Sequence, residues 1–331
     1  MKSYPVTNEV RWRHRFSILA VVTAAVLVSW GAFVTSINAG LAVPDWPSSF
    51  NSYDPLNPWP EWWTIVPVLA EHGHRLMGML IGLFTMTLAG WTVLKDERKW
   101  MKWLAVGALV LVILQGVLGG LRVVLVSVDL AMVHACVAQV FFSLLVALAL
   151  FTSPGWLQAR DIAPDTDKAG TLRGLTVIST LAVYVQIMLG VLLRHPGAGI
   201  SPVLAGVHIT GAVTVTTLLL ATGYFIHRNF RGQRLLLRAN RVQLSILTLQ
   251  FALGWTAYLL LLDERGMIVP SNLQVIVNSS HVLIGAALLA STVALTLLAL
   301  RRPTPVGGDA LPSEPVLAAE SLLAAGGTSN G

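Results

Sequence analysis

The chain has 331 residues, 55% of them hydrophobic and only 11% charged, with 22 Lys and Arg against 16 Asp and Glu and a formal net charge of +6. A soluble domain carries about a quarter charged residues, so this composition lacks a water-facing surface and points to a membrane protein. It excludes a disordered chain and a nucleic-acid binder, and the single Cys136, inside an apolar run, leaves no intramolecular disulfide and no Cys-rich metal motif.

Apolar stretches long enough to cross about 30 Å of hydrocarbon, roughly 20 helical residues, predict eight helices near 16–37, 66–94, 102–124, 130–152, 173–194, 202–226, 237–262 and 273–300. Lipid offers unpaired backbone no partner, and the segments lack ten-residue alternation, so helices are expected rather than a barrel. The first helix follows the basic segment 1–15; it is too long for the apolar core of a signal peptide and is expected to be retained. The connection 38–65 has Asp45, Asp54 and Glu61, no Lys or Arg, and Trp46, Trp59, Trp62 and Trp63. That suits a packed cap at headgroup depth. The second helix carries Glu71, His74 and Arg75, the third Arg122, the fourth His134. A basic connection, 153–172, separates these from the later helices, which carry Arg194, His208 and His281. Residues 301–331, rich in Pro, Gly, Ala and Ser, are expected to form a disordered tail.

Lys and Arg set the orientation. Four precede the first helix, four lie around 95–102, three at 160–173, five at 228–241 and two at 301–302, so 18 of the 22 fall on one side. Arg75, Arg122, Arg194 and Arg265 are left for the other. By the positive-inside rule both termini are cytoplasmic.

Gln-x-x-Leu-Gly recurs as Gln115–Gly119, Gln186–Gly190 and Gln250–Gly254, always in outward-running helices. The inward-running helices echo one another too, pairing His74 with Gly78, His134 with Ala138, His208 with Gly211 and His281 with Gly285. A small residue one turn on lets a flat ligand or another helix approach. With the basic middle connection, the repeat predicts two pseudo-symmetric four-helix halves, 16–152 and 173–300, related by an axis along the membrane normal.

The four histidines share a layer on the order of 7–14 Å below the outer boundary, one on each inward helix. Histidines within membrane spans serve either as hydrogen-bonded packing residues or as ligands. Zinc asks for carboxylate or thiolate help that does not recur in both halves. Facing histidines across a four-helix bundle suit the axial positions of a haem, making each half a candidate haem site. His14, His72, His195 and His227 fit plainer structural roles. The halves are unequal, because Glu71 precedes His74 by three residues where the other histidines have Ala131, Ala205 and Asn278. Glu71 suits either proton transfer at a reacting edge or a plain ion pair with Arg75, four residues on.

Glu-His-Gly-His-Arg (Glu71–Arg75), Gly-Leu-x-x-Pro-Asp-Trp-Pro (Gly40–Pro47), Leu-Gly-Gly-Leu-Arg-Val (Leu118–Val123), Val-His-x-x-Gly-Ala (Val207–Ala212) and Asn-Ser-Ser-His (Asn278–His281) together resemble the haem A synthase family over residues 16–300. The resemblance implies an all-α polytopic membrane fold of eight helices in two halves. It implies oxidation of the C8 methyl of haem O to a formyl by successive hydroxylations, giving the haem A of terminal oxidases. It makes His74 and His134 ligands of the substrate haem, His208 and His281 ligands of a resident haem b, and Glu71 the catalytic acid or base. Arg75, Arg122 and Arg194 become candidates for the haem propionates, with interfacial anchoring as the plainer role. Gln115, Gln186 and Gln250 suit interhelical hydrogen bonds better than ligation. The implied setting is the cell membrane, with haem O, a haem O synthase and a separate electron donor as partners, no nucleic acid, and room for a homo-oligomer. Some members carry a cysteine pair in the first outer connection, which this chain lacks. The rival expectations are a non-catalytic outer-face dihaem electron carrier and a transporter with parallel repeats, which would need broken helices at mid-membrane.

Overall fold

The structure is a computed structural model that describes residues 6–158, 167–194, 201–263 and 270–301. Eight long helices account for most of it: α1 (Asn8–Ser36), α2 (Val66–Lys95), α3 (Lys99–Val124), α4 (Val128–Thr152), then, after the short α5 (Pro154–Gln158), α6 (Asp167–Arg194), α7 (Pro202–Asn229), α8 (Arg234–Asp263) and α9 (Asn272–Leu300). Each long helix contains an apolar window able to cross a membrane. The predicted tail, apart from Arg301, lies outside the described residues, as do Lys2, Arg160, His195, Arg265 and the middle of the 153–172 connection.

The helix ends away from the basic connections match the hydropathy reading within two residues; of the basic-side ends, those of α4 and α9 coincide with it and the others run on, by eight residues at α1 and six at α6. Apolarity marks the hydrocarbon, whereas a helix continues into the headgroups until a cap stops it. At α1 that cap is Thr7, whose hydroxyl accepts from the Val10 amide at 3.3 Å. Helices α4, α7 and α9 start on a serine cap: Ser127, Ser201 and Ser271 accept from the amides of Leu130, Leu204 and Gln274. Helix α2 starts instead on Pro67, with no side-chain cap.

Helix α1 packs on α2 and α4, α2 on α3, and α3 on α4; likewise α6 packs on α7 and α9, α7 on α8, and α8 on α9. Across the two sets, α1 and α4 meet α9, and α4 meets α6. The main apolar core, which includes Ile81, Leu88, Met101, Leu145, Leu148, Leu295 and Leu298, lies on the basic side of the histidines. A second core, with Val183, Val215, Leu219, Leu247 and Leu288, does the same within α6–α9. The histidine layer therefore sits above a filled core, towards the helix ends opposite the basic connections.

Two polar knots tie the helices at opposite ends. At the basic end, Asp96 in the α2–α3 turn meets Arg13 of α1 at 3.0 Å and Arg98 at 2.8 Å, and Arg98 also donates to the Phe151 carbonyl of α4 at 3.0 Å. Burial alone would raise the Asp96 carboxyl; the hydrogen bonds from Arg98 and the charges of Arg98 and Arg13 outweigh it and hold Asp96 below its ordinary value. His14 takes the plain role expected of it, with Nδ1 3.1 Å from the Ala149 carbonyl of α4. At the outer end the 38–65 connection is packed, as expected. Asp45 accepts from the Phe50 and Asn51 amides at 2.7 and 2.9 Å, and Trp62 is buried between Trp63 and His72.

Candidate functional site

The four histidines meet as two pairs. His74 of α2 faces His134 of α4 with ring centroids 6.5 Å apart and planes inclined at 71°. His208 of α7 faces His281 of α9 at the same 6.5 Å, inclined at 76°. Two metal–imidazole bonds of about 2 Å end to end, with each ring's radius added, span roughly 6–6.5 Å, which matches the ring separation of each pair.

Each ring is seated against a glycine of the preceding outward helix. A methyl group on Gly31, Gly119, Gly190 or Gly254 would stand 2.9, 3.2, 3.0 or 2.9 Å from the ring of His74, His134, His208 or His281 respectively. Three of these glycines close the Gln-x-x-Leu-Gly repeat, and its glutamines reach the same histidines. Gln115 Nε2 donates to the His134 carbonyl at 3.3 Å, and Gln186 Nε2 donates to the His208 carbonyl at 2.7 Å and lies 3.1 Å from its Nδ1. Gln250 Nε2 lies 3.3 Å from His281 Nε2. These are interhelical hydrogen bonds, as the sequence suggested. The small residues after the histidines do less uniform work than the sequence suggested: Gly211 and Gly285 make room for the amides of Gln186 and Gln250, whereas Gly78 faces nothing within 4 Å.

Around His74 the sequence-distant motifs converge on Glu71, which is only 2% exposed. Its Oε2 accepts from the Val43 amide at 3.2 Å, its Oε1 accepts from Arg75 at 3.1 Å, and Arg122 stands 3.9 Å away. Arg75 also donates to the carbonyls of Val43, Asp45 and Ser48, so it holds the cap loop onto α2. The Leu-Gly-Gly-Leu-Arg motif of α3 serves three neighbours: Gly119 seats His134, Gly120 lies under the Trp46 ring, and Arg122 lies under Gly40. In Glu-His-Gly-His-Arg the central Gly73 admits Trp30, whose Nε1 donates to the Ala70 carbonyl at 2.8 Å. Arg194 sits elsewhere: it donates to the Ala32 carbonyl at 2.7 Å and to the Ser36 hydroxyl, joining α6 to α1.

Sequence reasoning missed the glycine seats, while His72 takes the plain structural role expected of it. The repeat drew attention to its glutamine, while its glycine makes the ring contact. His72 anchors the cap, with Nε2 2.8 Å from the Pro55 carbonyl.

The donor set favours haem over a bare ion, since among the described residues no three His, Cys, Asp or Glu side chains gather as an ion site requires. The Nδ1 atoms of His134 and His281 are buried without a partner. Matched proteins carry the same implication. Over 263 residues, 72% of this chain and 84% of the relative, the chain is 25% identical to a heme A synthase of Shouchella clausii. It is 33% identical over 194 residues to one from Symbiobacterium thermophilum and 27% over 187 residues to one from Exiguobacterium sibiricum, spanning 58% and 59% of those relatives. The family model COX15-CtaA, cytochrome oxidase assembly protein, matches residues 14–205, which take in Glu71, His74 and His134 and stop short of His208 and His281. This eight-helix chain with its paired histidines belongs to the COX15-CtaA family of cytochrome oxidase assembly proteins.

Proposed function

We propose that the chain is a haem A synthase, oxidising the C8 methyl of haem O to a formyl group. The observation that carries this reading is the inequality of two matching histidine pairs. Both are spaced for an axially ligated haem, and only His74 has a buried carboxylate, Glu71, three residues earlier on its own helix. The name shared by the relatives supports it.

In this reading α1–α4 form the half that takes haem O on His74 and His134, and α6–α9 form the half that holds haem b on His208 and His281. Haem b supplies one-electron transfer when bound. Haem O enters laterally, its farnesyl tail left in lipid. Two successive hydroxylations of the methyl, each consuming one dioxygen, two electrons from the donor and two protons and releasing one water, give a hydrated aldehyde, which loses water. The Glu71 carboxylate takes up and returns protons at the methyl edge, held there by the Val43 amide and Arg75. Arg75 is committed to the cap, and Arg194 to α1. The Arg122 guanidinium makes no hydrogen bond among the described residues beyond its 3.9 Å ion pair with Glu71, so it has donors to spare for a propionate. The membrane is the cell membrane, both termini are cytoplasmic, and a haem O synthase and a separate electron donor complete the system.

Co-expression with a source of haem O, followed by haem extraction and chromatography, tests the reading. Haem A should accumulate well above the vector control. A chain that carries haem and exchanges electrons yet leaves haem O unchanged is a dihaem electron carrier instead.

A further inference from the structure

The four candidate ligands are not held alike. His134, His208 and His281 each lie against a helix in which a glutamine stands four residues before the seating glycine, and each is approached by that glutamine. His74 lies against α1, where the residue four before Gly31 is Leu27. Among the described residues His74 makes no side-chain hydrogen bond. Its ring meets Gly31 by the Nε2–Cδ2 edge, whereas the other three meet their glycines by the Cε1–Nδ1 edge, a half-turn of the imidazole. Gly78 also faces open space, where Gly211 and Gly285 receive the glutamine amides.

An imidazole bound to metal through Nε2 keeps its proton on Nδ1, and an acceptor for that N–H fixes the ring and strengthens the bond. The amide oxygens of Gln186 and Gln250 are buried without a partner, as are Nδ1 of His134 and His281. Only at His281 are the ring Nδ1 and the glutamine oxygen both unpartnered, and there the amide nitrogen of Gln250 lies 3.3 Å from Nε2. At His208 the amide nitrogen of Gln186 meets Nδ1 at 3.1 Å, and at His134 Gln115 reaches the backbone carbonyl. A turn of each glutamine side chain brings its amide oxygen to Nδ1. Leu27 offers no acceptor.

We propose that Gln115, Gln186 and Gln250 are positioning residues that lock His134, His208 and His281, and that His74, which lacks such a partner, is the axial histidine able to swing off the iron. The proposal rests on the haem reading above, and it assigns the open coordination position of the N-terminal site to the His74 side, next to Glu71.

Carbon monoxide tests it on the purified, haem-loaded full chain, by optical spectra and by combination rates after reduction. Loss of one haem in His134→Ala and of the other in His208→Ala tells the sites apart. The N-terminal haem of the unmodified protein should bind carbon monoxide and the C-terminal haem should not. Leu27→Gln should slow binding about 10–100-fold, the usual weight of an outer-shell partner, at unchanged haem content, while Leu27→Met leaves the rate unaltered. Gln186→Leu should open the C-terminal haem to carbon monoxide, and Gln186→Glu should close it again and lower its reduction potential. Absence of any Soret band overturns the haem reading and this proposal together. A Soret band with carbon monoxide binding indifferent to Leu27→Gln, or slowed equally by Leu27→Met, overturns this proposal alone.

Discussion

Glu71 shows how a carboxylate is kept at membrane depth. Neither of its oxygens is left bare: the Val43 amide serves one and Arg75 the other, with Arg122 adding charge nearby. An uncompensated charge in that setting is costly, and each of these partners offsets part of the cost. Glu71→Gln keeps the shape and removes the carboxylate proposed to transfer protons. It should therefore retain both haem spectra and lose formyl production by about 10²–10⁴-fold, measured by chromatography of extracted haems. Normal production would remove Glu71 from the chemistry. The glycines allow a paired prediction. A methyl group at Gly254 would stand 2.9 Å from the His281 ring, while one at Gly78 meets nothing within 4 Å. Gly254→Ala should displace His281 and lower the haem content of the purified protein; Gly78→Ala should leave it unchanged.

Among the elements, α1 and α2 differ consistently from their counterparts. The other inward helices begin on a serine cap, while α2 begins on Pro67 beneath the folded 38–65 connection. Helices α3, α6 and α8 bring a glutamine to a histidine, while α1 has Leu27 at that register and places Trp30 against α2. These departures fall on the hairpin that carries Glu71 and His74, as expected where function has displaced a repeating structural solution. At the other end of the same hairpin, Asp96 joins α1, α3 and, through Arg98, α4. Asp96→Asn would leave Arg13 and Arg98 buried without their carboxylate, at a cost of about 3–5 kcal/mol, visible as a lower thermal midpoint in detergent. The pH dependence follows from the lowered Asp96 value. Its contribution is complete above the ordinary carboxyl value of 3.8 and is lost as the pH falls below that, through the lowered folded value. Acid should therefore narrow the gap between Asp96→Asn and the unmodified protein.

For the molecule as a whole, the sequence groups 18 of 22 basic residues on one side of the eight predicted spans, and the proposal that this side is cytoplasmic rests on the positive-inside rule. Reporter fusions should give periplasmic-type activity within 38–65 and cytoplasmic-type activity after 229–233; the opposite pattern would invert the topology and place the histidine layer on the inner side. Eight spans, their outer ends and the two classes of repeat were legible in the sequence, because exclusion of polar groups from hydrocarbon acts on each segment separately. The pairing of His74 with His134 and of His208 with His281 was legible as an expectation from shared depth. The seats were not: that Gly31, far from any Gln-x-x-Leu-Gly repeat, holds His74, that Arg75 belongs to the cap, and that Arg194 reaches α1 all depend on how each helix is rotated about its axis. Helices apolar on every side carry little amphipathic signal for that rotation. By itself the sequence determined a membrane protein of eight long apolar helices, its charge asymmetry and the shared depth of four histidines, since these follow from composition, segment length and position along each segment. The tertiary structure alone decided which ring rests on which glycine and which arginine is committed, because those contacts exist only once helices distant in sequence pack side by side.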